Sequence, residues 1–263
     1  MGLPLDLVLV RHGQSEGNAA MQLSRAGNDD AILEVYKNRH SASLHLTEKG
    51  RSQALQAGKF ILNEFFKESI GFDRYYTSEY LRAIETAGLL HLPGAKWYCD
   101  FYLAERDWGQ LEACSETERK EKFGQELQQQ IDEPFFWRPP SGESFAELCL
   151  RVDRVLDTLH RECDGGRVLI ICHGEIIRAF QTRIERLSQM RFKELFKSNN
   201  DFDHIYNGQI VHYTRRDPGS DTICPSMGWV RWIRPTESPA TTSGWRVISR
   251  PQYSNAELLN IVR

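Results

Sequence analysis

Two short apolar runs, Leu7-Val8-Leu9-Val10 and Val168-Leu169-Ile170-Ile171-Cys172, lead into the same pair of residues. The first reaches His12-Gly13 through Arg11, and the second reaches His173-Gly174 directly. Runs of this length, rich in branched aliphatics and apolar on every residue, suit strands buried on both faces of a parallel sheet. Glycine after each imidazole lets the chain turn sharply into a following helix. Both histidines are thereby expected at the carboxyl edge of one sheet, where open α/β folds bind their ligands. Arg11 adds a planar, permanently charged donor that can grip an oxyanion with two N–H groups.

The segments between continue the alternation. Thr47 precedes a helical pattern in Ala54, Gly58, Ile61, Leu62 and Phe65, and residues 72–77 and 96–101 suit strands on either side of a helix over 79–90. Ser144 and Glu147 form a capping box ahead of the stripe Phe145, Leu148, Val152, Val155, Leu156 and Leu159. Helices over 175–187 and 191–197 and a strand over 210–214 follow. This order predicts an α/β protein, a three-layer α/β/α sandwich around a mostly parallel sheet. Residues 21–45 suit a loop or broken helix at the rim of the site. Residues 106–140, charged and glutamine-rich before turning aromatic and proline-rich, suit a lid-like insertion.

The main domain is expected to span 1–216. Beyond it, 217–263 is punctuated by proline and tryptophan, with 229–233 and 245–248 able to pair as strands. So short a segment makes a poor core of its own, so the extension should pack on the domain or on a neighbouring subunit.

Composition narrows the function. A net charge of -3 argues against a nucleic-acid partner, although a few gathered arginines still suffice for a small anion. The apolar start is too short to span a membrane and lacks the basic leader of a signal peptide, so no membrane partner is expected and the cytoplasm is the default location. The six cysteines lack a C-x-x-C pair and suit reduced thiols. The sequence has neither H-E-x-x-H nor a paired Cys/His spacing, and no Walker A or G-x-G-x-x-G. No metal or other cofactor is expected.

Several residues could handle an anion together. Arg11-His12-Gly13-Gln14-Ser15-Glu16-Gly17-Asn18 places a nucleophile candidate, a guanidinium and an amide at one strand-to-helix turn, where free backbone N–H groups add donors. Arg82 lies about one turn into the helix after the second strand. Glu105 sits in an apolar-flanked loop after the third, where desolvation can raise a carboxyl pKa enough for proton donation. Cys172 and Arg178 also fit the C-x5-R spacing of cysteine phosphatases. However, Glu175, Ile176 and Ile177 stand where that motif needs an amide-lined cradle.

Taken together, these motifs resemble the histidine phosphatase superfamily, in its phosphoglycerate-mutase-like branch. The matching segments are Arg11-His12-Gly13 with Ser15, Glu16 and Asn18, then Leu46-Thr47-Glu48-Lys49-Gly50. Ser78 through Arg82-Ala83 to Glu85-Thr86, Glu105, Pro140-Ser141-Gly142-Glu143-Ser144 and His173-Gly174 follow in the same order. The resemblance implies that His12 becomes phosphohistidine, that Arg11, Arg82 and a protonated His173 hold the phosphoryl group with support from Asn18, and that Glu105 is the general acid. After the acid, the family's mutases carry Arg-His-Tyr-Gly. Here Asp107-Trp108 replace the middle pair, which is expected to set a negative charge where a bisphosphate must be held. Hydrolysis of a small phosphomonoester is the leading expectation. Phosphoglycerate mutase is the alternative, and an inactive phospholigand binder a third. A homo-oligomer is compatible with all three.

Overall fold

Four parallel strands form the centre of the computed structural model, which describes residues 2–66, 71–237 and 239–262. They are β1 (Asp6–Arg11), β2 (Arg74–Thr77), β3 (Trp97–Cys99) and β4 (Arg167–Cys172), in spatial order β3-β2-β4-β1. β5 (Ile210–Thr214) pairs antiparallel with β1, and β6 (Trp229–Arg234) antiparallel with β5. Two short strands, β7 (Thr241–Thr242) and β8 (Arg246–Val247), both pair with β6. The sheet is therefore mixed. The extension expected after residue 216 supplies three of its strands, and Trp229 and Val230 pair with Val247 and Arg246 as the sequence suggested.

Side-chain alternation along the central strands assigns the two helical layers. Leu7 and Leu9 of β1 and Val168, Ile170 and Cys172 of β4 pack with the apolar stripe of α6 (Phe145–Glu162) and with Ile176, Ile177, Phe180 and Ile184 of α7 (Gly174–Glu185). Val8, Val10, Leu169 and Ile171 face the other way, onto α3 (Glu48–Phe65) and α4 (Leu81–Leu89). Every one of these strand residues is buried. The capping box of α6 forms as written: the Ser144 hydroxyl accepts from the Glu147 N–H while the Glu147 carboxylate accepts from the Ser144 N–H.

Around the carboxyl edge lie α1 (Glu16–Arg25), α2 (Asp30–Tyr36), α5 (Glu116–Asp132) and α8 (Gln189–Phe196). The segment 21–45 is thus a broken helix, two short helices joined by a turn. α5 lies within the lid-like excursion and buries none of its side chains. It is tied to α1 by the Glu116 N–H, which donates to the Ser24 hydroxyl at 2.8 Å.

One contact explains why Gly13 and Gly50 recur in the two turn motifs. A Cβ on Gly13 would lie 2.2 Å from the Gly50 carbonyl oxygen, and a Cβ on Gly50 would lie 2.0 Å from that of Gln14. The His12 turn and the start of α3 therefore meet backbone to backbone. Gly50→Ala should force them apart, at the ~1–3 kcal/mol typical of overpacking, and should weaken phosphate binding as the turn shifts. Denaturant unfolding at unchanged m-value checks the first effect, and a phosphate titration checks the second.

Candidate active site

His12 follows the last residue of β1 and is 2% exposed. Its Nδ1 lies 2.6 Å from the Gly13 carbonyl oxygen, which can only accept, so Nδ1 carries the proton and Nε2 keeps its lone pair. Arg82 Nε donates to that Nε2 at 3.2 Å. Burial, then the charges of Arg82 and Arg11, push the imidazole pKa well below its ordinary value, against the Gly13 hydrogen bond. His12 is consequently a neutral imidazole at pH 7, with its nucleophilic nitrogen facing a guanidinium.

Two buried donors beside it have no protein partner. Arg11 Nη1 is held by the Ile205 carbonyl at 2.5 Å, but its Nε is unpaired. In His173 the Nε2 lies 2.9 Å from the Ser78 hydroxyl and Nδ1 is unpaired. Ser78 can donate to Nε2, which assigns the remaining proton to Nδ1. The His173 ring makes an edge contact with His12, centroids 5.0 Å apart. Burial and the neighbouring Arg82 lower its pKa well below the ordinary range. The protonated His173 expected from the sequence is therefore disfavoured without an anion, because two guanidiniums already charge the site. A neutral Nδ1–H still offers a hydrogen bond. Buried polar groups are ordinarily satisfied, so these two atoms mark where a ligand's oxygens belong.

Arg82 is fixed by its Nη1, which donates to the Ser41 carbonyl at 2.6 Å, and by packing over Tyr80. Thr86 links this helix to the His12 turn, accepting from the Gly13 N–H at 3.1 Å and donating to the Arg82 carbonyl. Asn18 Oδ1 accepts from the Ser15 N–H and from Asn207 Nδ2, leaving its Nδ2 as the atom able to meet an anion.

Glu105 is half-buried, and its Oε1 accepts from the Arg106 N–H at 2.9 Å. Burial and then the nearby Glu175 push its pKa up to about 7, against the opposing pull of Arg106's N–H, Arg82 and Arg11. Such a carboxyl is part protonated at neutral pH, the condition for a proton donor that later acts as a base.

The Pro140–Ser144 motif places this acid. The Glu143 carboxylate holds Arg151 at 2.8 Å, and Arg151 donates to the carbonyls of Tyr102, Ala104 and Glu105. Gly109, at φ +51°, comes so close to the motif that a Cβ would lie 2.2 Å from the Pro140 carbonyl oxygen. Arg106 is buried beneath, donating to the carbonyls of Glu143 and Trp137 and pairing with Glu175 at 3.5 Å.

The structure corrects one expectation here. Asp107 does not enter the site: it is exposed, and its carboxylate accepts from the Gly109 N–H at 2.8 Å, capping the turn. Trp108 is the member of the pair that reaches the cavity. Cys172 is fully buried in β4, and burial drives its thiol far above the ordinary range, which removes it as a nucleophile.

Arg11, His12, Asn18, Arg82 and Glu105 all line one cavity of about 560 Å³, and the His173 ring lies in edge contact with that of His12. All six residues singled out in the sequence thus meet at one place. Asn207 and Glu175 also line it and were not anticipated as site residues. Asn207 reaches the site from the loop before β5, donating to the His12 carbonyl at 3.1 Å, and no local pattern announces that.

The chain is similar to known proteins in sequence and in fold. The chain is 33% identical over 195 residues to a 2,3-bisphosphoglycerate-dependent phosphoglycerate mutase of Rhizobium etli, covering 69% of this chain and 81% of the relative. In fold it is similar to the alpha-ribazole phosphatase of Shigella flexneri, with TM-score 0.61 and 18% identity over 84% of this chain and 96% of the other. It is similar also to a mycobacterial glucosyl-3-phosphoglycerate phosphatase, with TM-score 0.61 and 20% identity over 79% and 92%. The sequence profile of the histidine phosphatase superfamily (branch 1) matches residues 7–205, and the chain belongs to that family.

Proposed function

We propose that the protein hydrolyses a small phosphomonoester through a phosphohistidine on His12, without a metal ion. Nε2 of His12 attacks phosphorus in line with the leaving oxygen. Arg11, Arg82, Asn18 and His173 stabilise the charge spread over the three equatorial oxygens, work that in a loose transition state consists mostly of positioning and electrostatics. Glu105 gives its proton to the departing alkoxide. Its carboxylate then takes a proton from water, which attacks phosphorus, and the N–P bond breaks to return His12 and inorganic phosphate.

The charge balance of the cavity carries the preference for hydrolysis over isomerisation. Away from the phosphoryl site, Arg25 is paired with Glu116, and Arg119 and Arg178 are matched in number by Glu112 and Asp203. A mutase must keep a bisphosphate bound between two transfers, which calls for a surplus of positive charge at that distance. The lining supplies none, so a second phosphate has little to hold it and water can compete.

Inorganic phosphate release should therefore exceed isomerisation when the enzyme is given 3-phosphoglycerate with a trace of 2,3-bisphosphoglycerate. A panel of sugar phosphates, phosphoglycerates, nucleotides and phosphopeptides ranked by kcat/KM then identifies the substrate class. Vanadate should compete with substrate, and chelators should leave the rate unchanged. Isomerisation outrunning release would establish the mutase, and a rate lost to chelator and restored by zinc or magnesium would overturn metal independence.

A further inference from the structure

β6 belongs to the C-terminal extension, yet its last residue arrives beside the phosphoryl site. Ile233 pairs with Ile210, and Ile210 with Val10, so Arg234 emerges at the carboxyl edge next to the end of β1. Its guanidinium is buried, 6% exposed, and grips the short loop before β5 from several sides. It pairs with the Asp201 carboxylate and donates to the Asp201 carbonyl. Its Cζ lies 4.9 Å from the ring centroid of Phe202 and 4.6 Å from that of Tyr206. The Tyr206 hydroxyl also donates to Asp201, closing the cluster.

Three residues at the end of that loop reach the site. The Ile205 carbonyl accepts from Arg11 Nη1, the Asn207 side-chain amide donates to the His12 carbonyl and to Asn18 Oδ1, and the Gly208 N–H approaches the His12 carbonyl at 3.2 Å. Arg11 has one end of its guanidinium tied to Ile205, and this anchor aims the unpaired Nε. We infer that Arg234 is a positioning residue: through the 201–207 loop, it fixes the orientation of Arg11 and Asn18 toward the phosphoryl group. It touches no reacting atom. The inference rests on the hydrolase reading only for what the site does, since the contacts themselves involve the loop alone. It also assigns the extension a share in the site, beyond widening the sheet.

Arg234→Met keeps the length and apolar packing of the side chain and removes the fork. A misplacement of the order of 1 Å at a positioning group can cost ~10²-fold in rate. We therefore expect vanadate to bind about tenfold more weakly, KM to rise and kcat to fall. Arg234→Lys, which retains charge opposite Asp201 but cannot stack flat on two rings, should fall between the two. Asp201→Ala, at the exposed end of the clamp, should shift vanadate affinity in the same direction, and it decides the matter if Arg234→Met does not fold. Arg246→Met serves as the control. Arg246 pairs with Glu185 from β8, opposite Val230, whose partner Tyr213 faces Leu7 at the other end of the strands. It should lower the melting temperature and leave vanadate affinity alone.

If Arg234→Met and Asp201→Ala bind vanadate as tightly as wild type, whatever their melting temperatures, the clamp is structural only and the inference is overturned. Equal weakening in Arg246→Met would overturn it too. Turnover by wild type tests the hydrolase reading separately. An enzyme that binds vanadate but releases no phosphate would sink that reading and leave the clamp measurable, whereas one that binds no vanadate would sink both.

Discussion

His12→Ala is expected to abolish phosphate release. Wild type quenched in alkali during turnover should carry a phosphoryl group on His12 that survives base and is lost in acid. Deleting a nucleophile from a cooperating set costs on the order of 10⁶ in kcat, and no neighbouring group can substitute here. His173, the nearest imidazole, has its Nε2 engaged by the Ser78 hydroxyl and its proton on Nδ1, so neither ring nitrogen has a free lone pair for attack. Cys172→Ser should keep full activity, because the thiol is sealed in β4. Full turnover by His12→Ala, or an adduct that resists acid and falls off in base, would sink the mechanism.

Glu105→Gln should slow hydrolysis of alkyl phosphates by ~10²–10⁴, the usual worth of general acid catalysis, while hardly affecting p-nitrophenyl phosphate, whose phenolate leaves without a proton. The pH dependence follows from the same carboxyl. Glu105 must be protonated to donate, and its pKa is pushed up to about 7, so the wild-type rate on alkyl esters should hold below neutrality and fall above it. His12, neutral well below pH 6.5, does not limit the rate in that range.

The stability sign runs alongside. Between the ordinary value of 4.5 and about 7 the folded protein binds the Glu105 proton and the unfolded chain does not, so stability falls as pH rises through that window. Glu105→Gln should accordingly gain melting temperature over wild type at pH 8 and gain little at pH 4. Equal losses on both esters, with chemistry rate-limiting, would remove Glu105 from the acid role.

The sequence revealed those parts whose stability is local or whose burial is complete. β5 was legible to the residue, and α6 announced itself through a capping box and a continuous apolar stripe. α5 was hidden for the converse reason: no side chain in it is buried, so no periodic stripe marks it. The fate of Asp107 was misread because the turn it caps exists only through the close approach of Gly109 to Pro140. Arg151 and Asn207 were invisible for a related reason. Each acts on backbone carbonyls far away in the chain, and a contact to a carbonyl leaves no trace in the identity of the residue that supplies it.

The placement of β1 has a consequence for biosynthesis. It is made well before either of its sheet neighbours, and Leu7 to Val10 are fully buried in the finished fold. Its two sheet neighbours, β4 and β5, begin only at Arg167 and Ile210. While the intervening chain is made, Leu7 to Val10 is therefore an unpaired strand with both faces and both edges open, a ready template for association with other nascent chains. Shielding of that strand until its partners are made is therefore expected to raise the yield of this protein in a cell.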